Sequence, residues 1–308
     1  MYDKRFYFLF FTIIIGGYIM SVIEAILQAL IQGFTEFLPV SSSGHLSLFQ
    51  HFTGIDGEGG VMMTLILHLG TLLAVFVVFR QTIWNLIKEF FHMIKDIFTG
   101  KFKIKEMNPD RRFIIMIIVS ILPLFAFYVF KDFFTSLSSD EDIIVEGCAF
   151  IYTSILLFFA DKCVSGHKSS GEVNFASALT IGIFQGIALV PGISRSGSTI
   201  SSALFCGLKR DSAVEYSFIL GIPVIAAGAL LSIKDIGADA IAEIQILPLV
   251  IGFIVSAIAG VLAIKLIKWL VAKNRFKIFS FYTLILGVAT IAVGICEKIY
   301  DYRFIIEI

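Results

Sequence analysis

Apolar residues run along this chain in long blocks. Nearly charge-free runs occur at Gly60–Phe79, Phe113–Phe130, Ile143–Ala160, Val214–Ile233, Leu247–Ile264 and Ile278–Cys296. Each approaches the roughly 20 apolar residues that a lipid-spanning helix needs. The segment Arg80–Arg112 is different. It begins with Ile83, Ile87, Phe90, Phe91, Ile94, Ile97 and Phe98 at helical spacing, which predicts an amphipathic helix lying in the membrane interface. The first run, Phe6–Met20, is shorter and lacks a small-residue cleavage site. Residues 1–19 are therefore expected to be an extra anchor or an extension ahead of a second start at Met20.

Two further apolar stretches, Ser21 to Thr53 and Asn174 to Leu208, are too long for one helix, and Pro, Gly and a serine cluster break each in the middle. Lys and Arg decide how they sit, because basic residues gather on the inner side. The eight between Arg80 and Arg112 and the five between Lys265 and Lys277 fall on one side with Lys4, Arg5, Lys162, Lys168, Lys209 and Arg210 if the spans alternate. Only Lys131, Lys234, Lys298 and Arg303 fall on the other. This alternation requires each broken stretch to enter the membrane and return to its own side. Irregular backbone at that depth is tolerated only where protein or a wet cavity surrounds it. The expected fold is all-α: a polytopic membrane helix bundle with two re-entrant helix hairpins.

The hairpin tips repeat one another. Gln32-Gly33-Phe34-Thr35-Glu36-Phe37-Leu38-Pro39-Val40-Ser41-Ser42-Ser43-Gly44 aligns without gaps with Gln185-Gly186-Ile187-Ala188-Leu189-Val190-Pro191-Gly192-Ile193-Ser194-Arg195-Ser196-Gly197, at an offset of 153. An odd number of spans separates the copies, so the second enters from the opposite face. The chain reads as one membrane domain, 1–308, containing an inverted-topology repeat over about 21–131 and 174–296.

Composition agrees with lipid as the main solvent. The 308 residues are 57% hydrophobic and 16% charged, with 32 Phe. A soluble domain carries about 25% charge, so a soluble enzyme, a disordered chain and a nucleic-acid binder are excluded. The net charge of +0 points to no partner. The four cysteines have no metal or disulfide spacing.

The tips carry the candidate chemistry. The helices that follow them are expected to begin near Gly44 and Gly197. Two helix N-termini facing each other make an anion site. Arg195, a costly cation at membrane depth, adds a forked donor suited to phosphate. Ser41, Ser43, Ser194, Ser196, Gly197 and Thr199 supply further phosphate-binding groups. Gln32 and Glu36 share a helix face at i, i+4 and suit a hard divalent cation, Mg or Ca. His45 follows Gly44 in the first helical turn, where the dipole favours neutral imidazole, with Ser42 three residues earlier. His68 is assigned to packing, and His51, His92 and His167 to surface or interface positions.

Residues Gln32–His45 and Pro191-Gly-Ile-Ser-Arg-Ser-Gly-Ser-Thr199 resemble the two signature motifs of the undecaprenyl-diphosphate phosphatase family, also named for bacitracin resistance. Leu67–Val75 and Gly207–Phe218 resemble it too, and the likeness runs from about Met20 to about Cys296. It implies a multi-pass enzyme of the bacterial inner membrane that removes one phosphate from a C55 isoprenoid diphosphate. The partners it implies are that polyprenyl diphosphate and membrane lipid; pairing with a second copy of the chain, as a homodimer, is left open by the sequence. The family's acidic pair falls on Gln32 and Glu36, its serine and histidine on Ser42 and His45, and its arginine on Arg195. This chain carries Gln at the first position of the pair, where Glu also occurs in the family. Because the first hairpin enters from outside, the reaction is expected nearer the outer face. The preferred chemistry has Ser42 as nucleophile and His45 as base; phosphorylation of His45, or water activated by it, is the other route. Inverted repeats also serve transporters, so a lipid-phosphate flippase is the alternative.

Overall fold

The computed structural model describes residues 22–54, 59–103, 106–130, 133–134, 142–234 and 246–306. The expectation for residues 1–19 lies outside these, as does most of the two acidic loops, Lys131–Asp142 and Lys234–Glu243. Among the described residues, regular structure is helical apart from one isolated bridge between Lys168 and Leu208. The main helices are α1 (Val22–Thr35), α2 (Ser42–Thr53), α3 (Gly59–Val78), α4 (Arg80–Phe98), α5 (Pro109–Tyr128), α6 (Ile144–Lys162), α7 (Phe175–Ile187), α8 (Arg195–Phe205), α9 (Arg210–Lys234), α10 (Ile246–Ala272) and α11 (Lys277–Tyr300).

Helices α5, α6, α9, α10 and α11 are each long and apolar enough to cross a bilayer, and α3 makes a sixth when taken with α4. The chain is a multi-pass, all-helical membrane protein. At Phe79 the chain turns by 87° out of α3 into α4. Helix α4 buries Ile83 and Met93 and leaves Phe91 and Phe98 on its outer side, as an interfacial helix does. Arg111 of α5 ties it down, with Nε donating to Glu89 at 2.7 Å and Nη2 to Asp96 at 2.7 Å.

Both broken stretches fold as a short helix, a break and a second short helix. These elements recur at the sequence offset: α1 and α7 begin 153 residues apart, as do α2 and α8. The arrangement is compatible with two re-entrant hairpins. Each first helix packs on a span of the opposite half, α1 on α10 and α7 on α5. Small residues allow that approach, since lipid supplies little hydrophobic drive between helices. A Cβ added at Gly33 would lie 2.5 Å from Ala259 Cβ and 2.8 Å from the Ser256 carbonyl, so α1 and α10 touch backbone to backbone. Helices α6 and α11 meet similarly at Gly147 and Gly287. Ser154 and Ser280 of that pair each donate to the other's carbonyl, at 2.7 and 2.8 Å.

The largest buried cluster joins the tips to residues of α3 through α11, with α9 among its main contributors. Phe37, directly after Glu36, packs edge-on to Phe218 with centroids 5.1 Å apart, and Tyr216 hydrogen-bonds Ser120 at 2.8 Å. This core fixes the backbone that presents the polar tips.

Candidate active site

The two tips close in the same way. Ser41 caps α2 by accepting from Gly44 N at 3.2 Å, and Ser194 caps α8 by accepting from Gly197 N at 3.0 Å. Both cap hydroxyls lie 3.3 Å from the next-but-one serine hydroxyl, Ser43 or Ser196. Because serines rather than glycines cap the helices, α2 and α8 begin two residues earlier than expected, at Ser42 and Arg195. These residues occupy equivalent positions, one at each helix N-terminus, where N–H groups lack intrahelical acceptors. The tips also hold each other: Gly192 N donates to Ser43 Oγ at 3.3 Å, and Ser196 Oγ donates to the Leu38 carbonyl at 3.2 Å.

Helix α6 backs both tips along one face. Phe150 packs on Gly44, Ala149 on Gly192, and Thr153 Oγ1 accepts from Ser194 N at 3.2 Å. Gly192 has φ 85°, and a Cβ there would sit 2.9 Å from Ala149 Cβ, so glycine is required on both counts. Ser41 also has positive φ, 75°, although it carries a side chain. Such a backbone costs on the order of 1–3 kcal/mol and persists only where surrounding contacts impose it. It immediately precedes Ser42.

Glu36 is the hub of the site. Its Oε1 pairs with Arg195 Nη2. Its Oε2 accepts from Ser42 Oγ at 2.6 Å and from Gln32 Nε2 at 2.8 Å. The carboxylate is 7% exposed, and Arg195 remains partly open to a neighbouring cavity. The structure thus brings Gln32, Glu36, Ser42 and Arg195 together from three elements, with Arg195 contributed by the second tip.

His45 lies beside this group but faces elsewhere. Its Nδ1 contacts the Ser41 carbonyl at 2.6 Å and so carries the proton; its Nε2 then accepts from Tyr282 OH at 2.6 Å. Tyr282 stacks on the imidazole at 5.7 Å and Phe150 meets it edge-on. Both ring nitrogens are thus engaged, and the Ser42 hydroxyl points to Glu36 instead of to His45.

Of the other predicted phosphate groups, Ser43 is exposed, and Ser41, Ser194, Ser196, Gly197 and Thr199 are buried within the tips. Ser194, Ser196 and Thr199 have little or no exposure. Thr199 Oγ1 donates to the Arg195 carbonyl at 2.9 Å.

His68 differs from its packing assignment. Its Nδ1 contacts the Thr64 carbonyl at 2.8 Å, and its Nε2 comes within 3.9 Å of Glu36 Oε2. Together with Arg195 it lines a cavity of about 210 Å³. An imidazole in an otherwise apolar span is costly, and that signal in the sequence could have found it. Tyr282 gave no comparable signal, being one aromatic among many.

The donor set for a divalent cation is small. Among the described residues no three His, Cys, Asp or Glu converge. Gln32 Oε1 is buried and lacks a partner, so it is an acceptor beside the Glu36 carboxylate. One amide oxygen and one carboxylate fit a hard ion that takes its remaining ligands from substrate phosphate and water.

Residues 25–289 match the family described as bacitracin resistance protein BacA. The chain belongs to that family. Curated relatives named undecaprenyl-diphosphatase resemble it over nearly their whole length. The one from Alkaliphilus metalliredigens is 38% identical over 269 residues, covering 87% of this chain and 97% of the relative. The one from Methanosphaera stadtmanae is 39% identical over 282 residues, covering 90% and 99%. The one from Halothermothrix orenii is 36% identical over 273 residues, covering 88% and 98%. The matched span contains both tips, so the Glu36 cluster lies wholly within the BacA-family region.

Proposed function

We propose that this protein hydrolyses undecaprenyl diphosphate to undecaprenyl phosphate and inorganic phosphate, in the bacterial inner membrane and nearer its outer face. The observation that carries the reading is the Glu36 carboxylate, which holds the Ser42 hydroxyl on one oxygen and Arg195 on the other. A carrier needs charge matching but no hydroxyl held against a base. The names of the relatives supply the substrate. The outer-face placement follows from the charge alternation and from reading the two helix–break–helix units as inverted re-entrant hairpins.

The terminal phosphate binds where α2 and α8 start, and Arg195 turns from Glu36 to the phosphoryl oxygens. Ser42 Oγ attacks the terminal phosphorus and its proton passes to Glu36 Oε2. The bond to the bridging oxygen breaks and undecaprenyl phosphate leaves. Water then attacks the phosphoserine: its proton passes to Glu36, the proton Glu36 already holds returns to Ser42 Oγ as the Oγ–P bond breaks, and inorganic phosphate is released. Arg195 and the first-turn N–H groups stabilise charge on the phosphoryl oxygens in both steps. His45 is a positioning residue here: it holds the Ser41 carbonyl, and with it the strained turn that aims Ser42. Glu36 and Gln32 Oε1 would hold the divalent cation, Mg or Ca, which neutralises diphosphate charge when bound.

Phosphate release from undecaprenyl diphosphate by the purified protein in detergent tests the reading. Transbilayer movement of the lipid without phosphate release would support the flippase alternative instead.

A further inference from the structure

A second cavity adjoins the first. It has a volume of about 640 Å³ and lies between the C-terminal halves of α5 and α9, with Leu124, Phe125 and Tyr128 on one wall and Ala227 and Leu231 on the other. Its lining is apolar, and its rim is open on the side that faces lipid: Phe125 is 68% exposed. It shares Val224, Gly228 and Ser232 with the smaller cavity that holds Arg195 and His68. The two cavities therefore abut across these three residues, one reaching a guanidinium and the other the lipid-facing surface.

Gly228 stands at the junction. It lies inside α9, where glycine is less favourable than alanine. At the other described helical glycines, apart from Gly221 of the same helix, an added Cβ would meet a neighbouring atom within 3.0 Å. At Gly228 an added Cβ would meet no atom within 4 Å. Neither packing nor backbone geometry asks for glycine there. Its effect is to leave the boundary between the two cavities without a side chain. Pro223, five residues earlier in α9, also lines the groove.

We propose that the substrate's polyprenyl chain leaves the phosphate site past Gly228 and lies in the α5–α9 groove, and that Gly228 determines how bulky a chain the site admits. The proposal rests on the phosphatase reading. An amphiphile with an anionic head and an apolar tail matches the space end for end: the head at Arg195, the tail toward Phe125 and Leu231. Because lipid is as apolar as the groove, the groove adds orientation more than affinity. It sets the direction in which the diphosphate points at Ser42. Ordinary membrane lipid is the competing occupant.

The test uses purified full-length protein in detergent. Phenylalanine at Gly228 fills the junction; alanine narrows it and raises helix propensity. Val250→Phe, on the lipid side of α10, controls for adding an aromatic to a membrane helix. For Gly228→Phe, kcat/KM for undecaprenyl diphosphate is expected to fall at least about tenfold, with a smaller fall for Gly228→Ala. The ratio of kcat/KM for the C55 substrate over dimethylallyl diphosphate is expected to fall with it. Thermal unfolding in detergent identifies a misfolded variant, in which case the alanine variant decides. In parallel, Phe125, Leu231 and Ile254 are replaced one at a time by the photo-crosslinker p-benzoylphenylalanine, and radiolabelled undecaprenyl diphosphate is added. Labelling at 125 and 231 that excess unlabelled substrate suppresses, against little at 254, supports the proposal. Equal labelling at all three, or labelling that substrate does not compete, means that ordinary lipid fills the groove and overturns it. A folded Gly228→Phe protein with unchanged kcat/KM also overturns it. Absence of phosphate release from wild type overturns the phosphatase reading itself, a different outcome from either.

Discussion

Replacing Glu36 with glutamine tests the hub directly. The change keeps the side-chain volume and removes the charge. Glutamine can still accept from Ser42 or Gln32 through one oxygen, but it cannot take a proton, and it leaves Arg195 without its counterion. Loss of a general base typically lowers the rate by about 10²–10⁴. Stability should change less than the full about 3–5 kcal/mol of a broken, fully buried pair, because Arg195 is 24% exposed and screened through the cavity. The assay is phosphate release with and without Ser42→Ala. Groups that act as a unit are non-additive. The double variant Glu36→Gln/Ser42→Ala should therefore be no slower than the slower single variant. Near-wild-type turnover by Glu36→Gln would refute the reasoning, and so would rate losses that multiply in the double variant.

Other outcomes follow from the same geometry. Arg195→Lys should lose most activity although the charge is kept, because lysine lacks the fork; kcat/KM checks this. Tyr282→Phe removes the donor to His45 Nε2 and should cost about 0.5–1.5 kcal/mol of stability in thermal unfolding, with activity lowered far less than in Ser42→Ala. At Ser41, alanine keeps the strained φ and loses the cap, so it should destabilise by about 1 kcal/mol; glycine relieves the strain and should be the more stable of the two. Cysteines placed at Glu58 and His167, in a background without native cysteine, should label from opposite faces of sealed cells, the first from outside.

Much of the fold was legible because lipid imposes simple rules. Six apolar runs became six long helices, and the Arg80 segment became a helix turned out of the span before it. The two tips could be paired from sequence because they repeat at a constant offset, and capping shows that the repeat extends to individual hydrogen bonds at Ser41 and Ser194. Partner choice was less legible. Ser42 and His45 are near in sequence, which suggested a couple. The fold instead turns Ser42 toward Glu36 and His45 toward Tyr282, 237 residues away. His68 reaches Glu36 from a different helix, through the packing of α3 beside the first tip. Spacing along one chain does not carry such contacts.

The central claim is that Ser42, held by Glu36, attacks the terminal phosphorus. Rapid quenching of parallel samples in acid and in alkaline denaturant, during turnover of undecaprenyl diphosphate labelled in its terminal phosphate and followed by peptide mapping at matching pH, tests it most directly. The account predicts an acid-stable phosphoserine at Ser42 that is absent from Ser42→Ala. Phosphate on His45, or full turnover by Ser42→Ala, would contradict it.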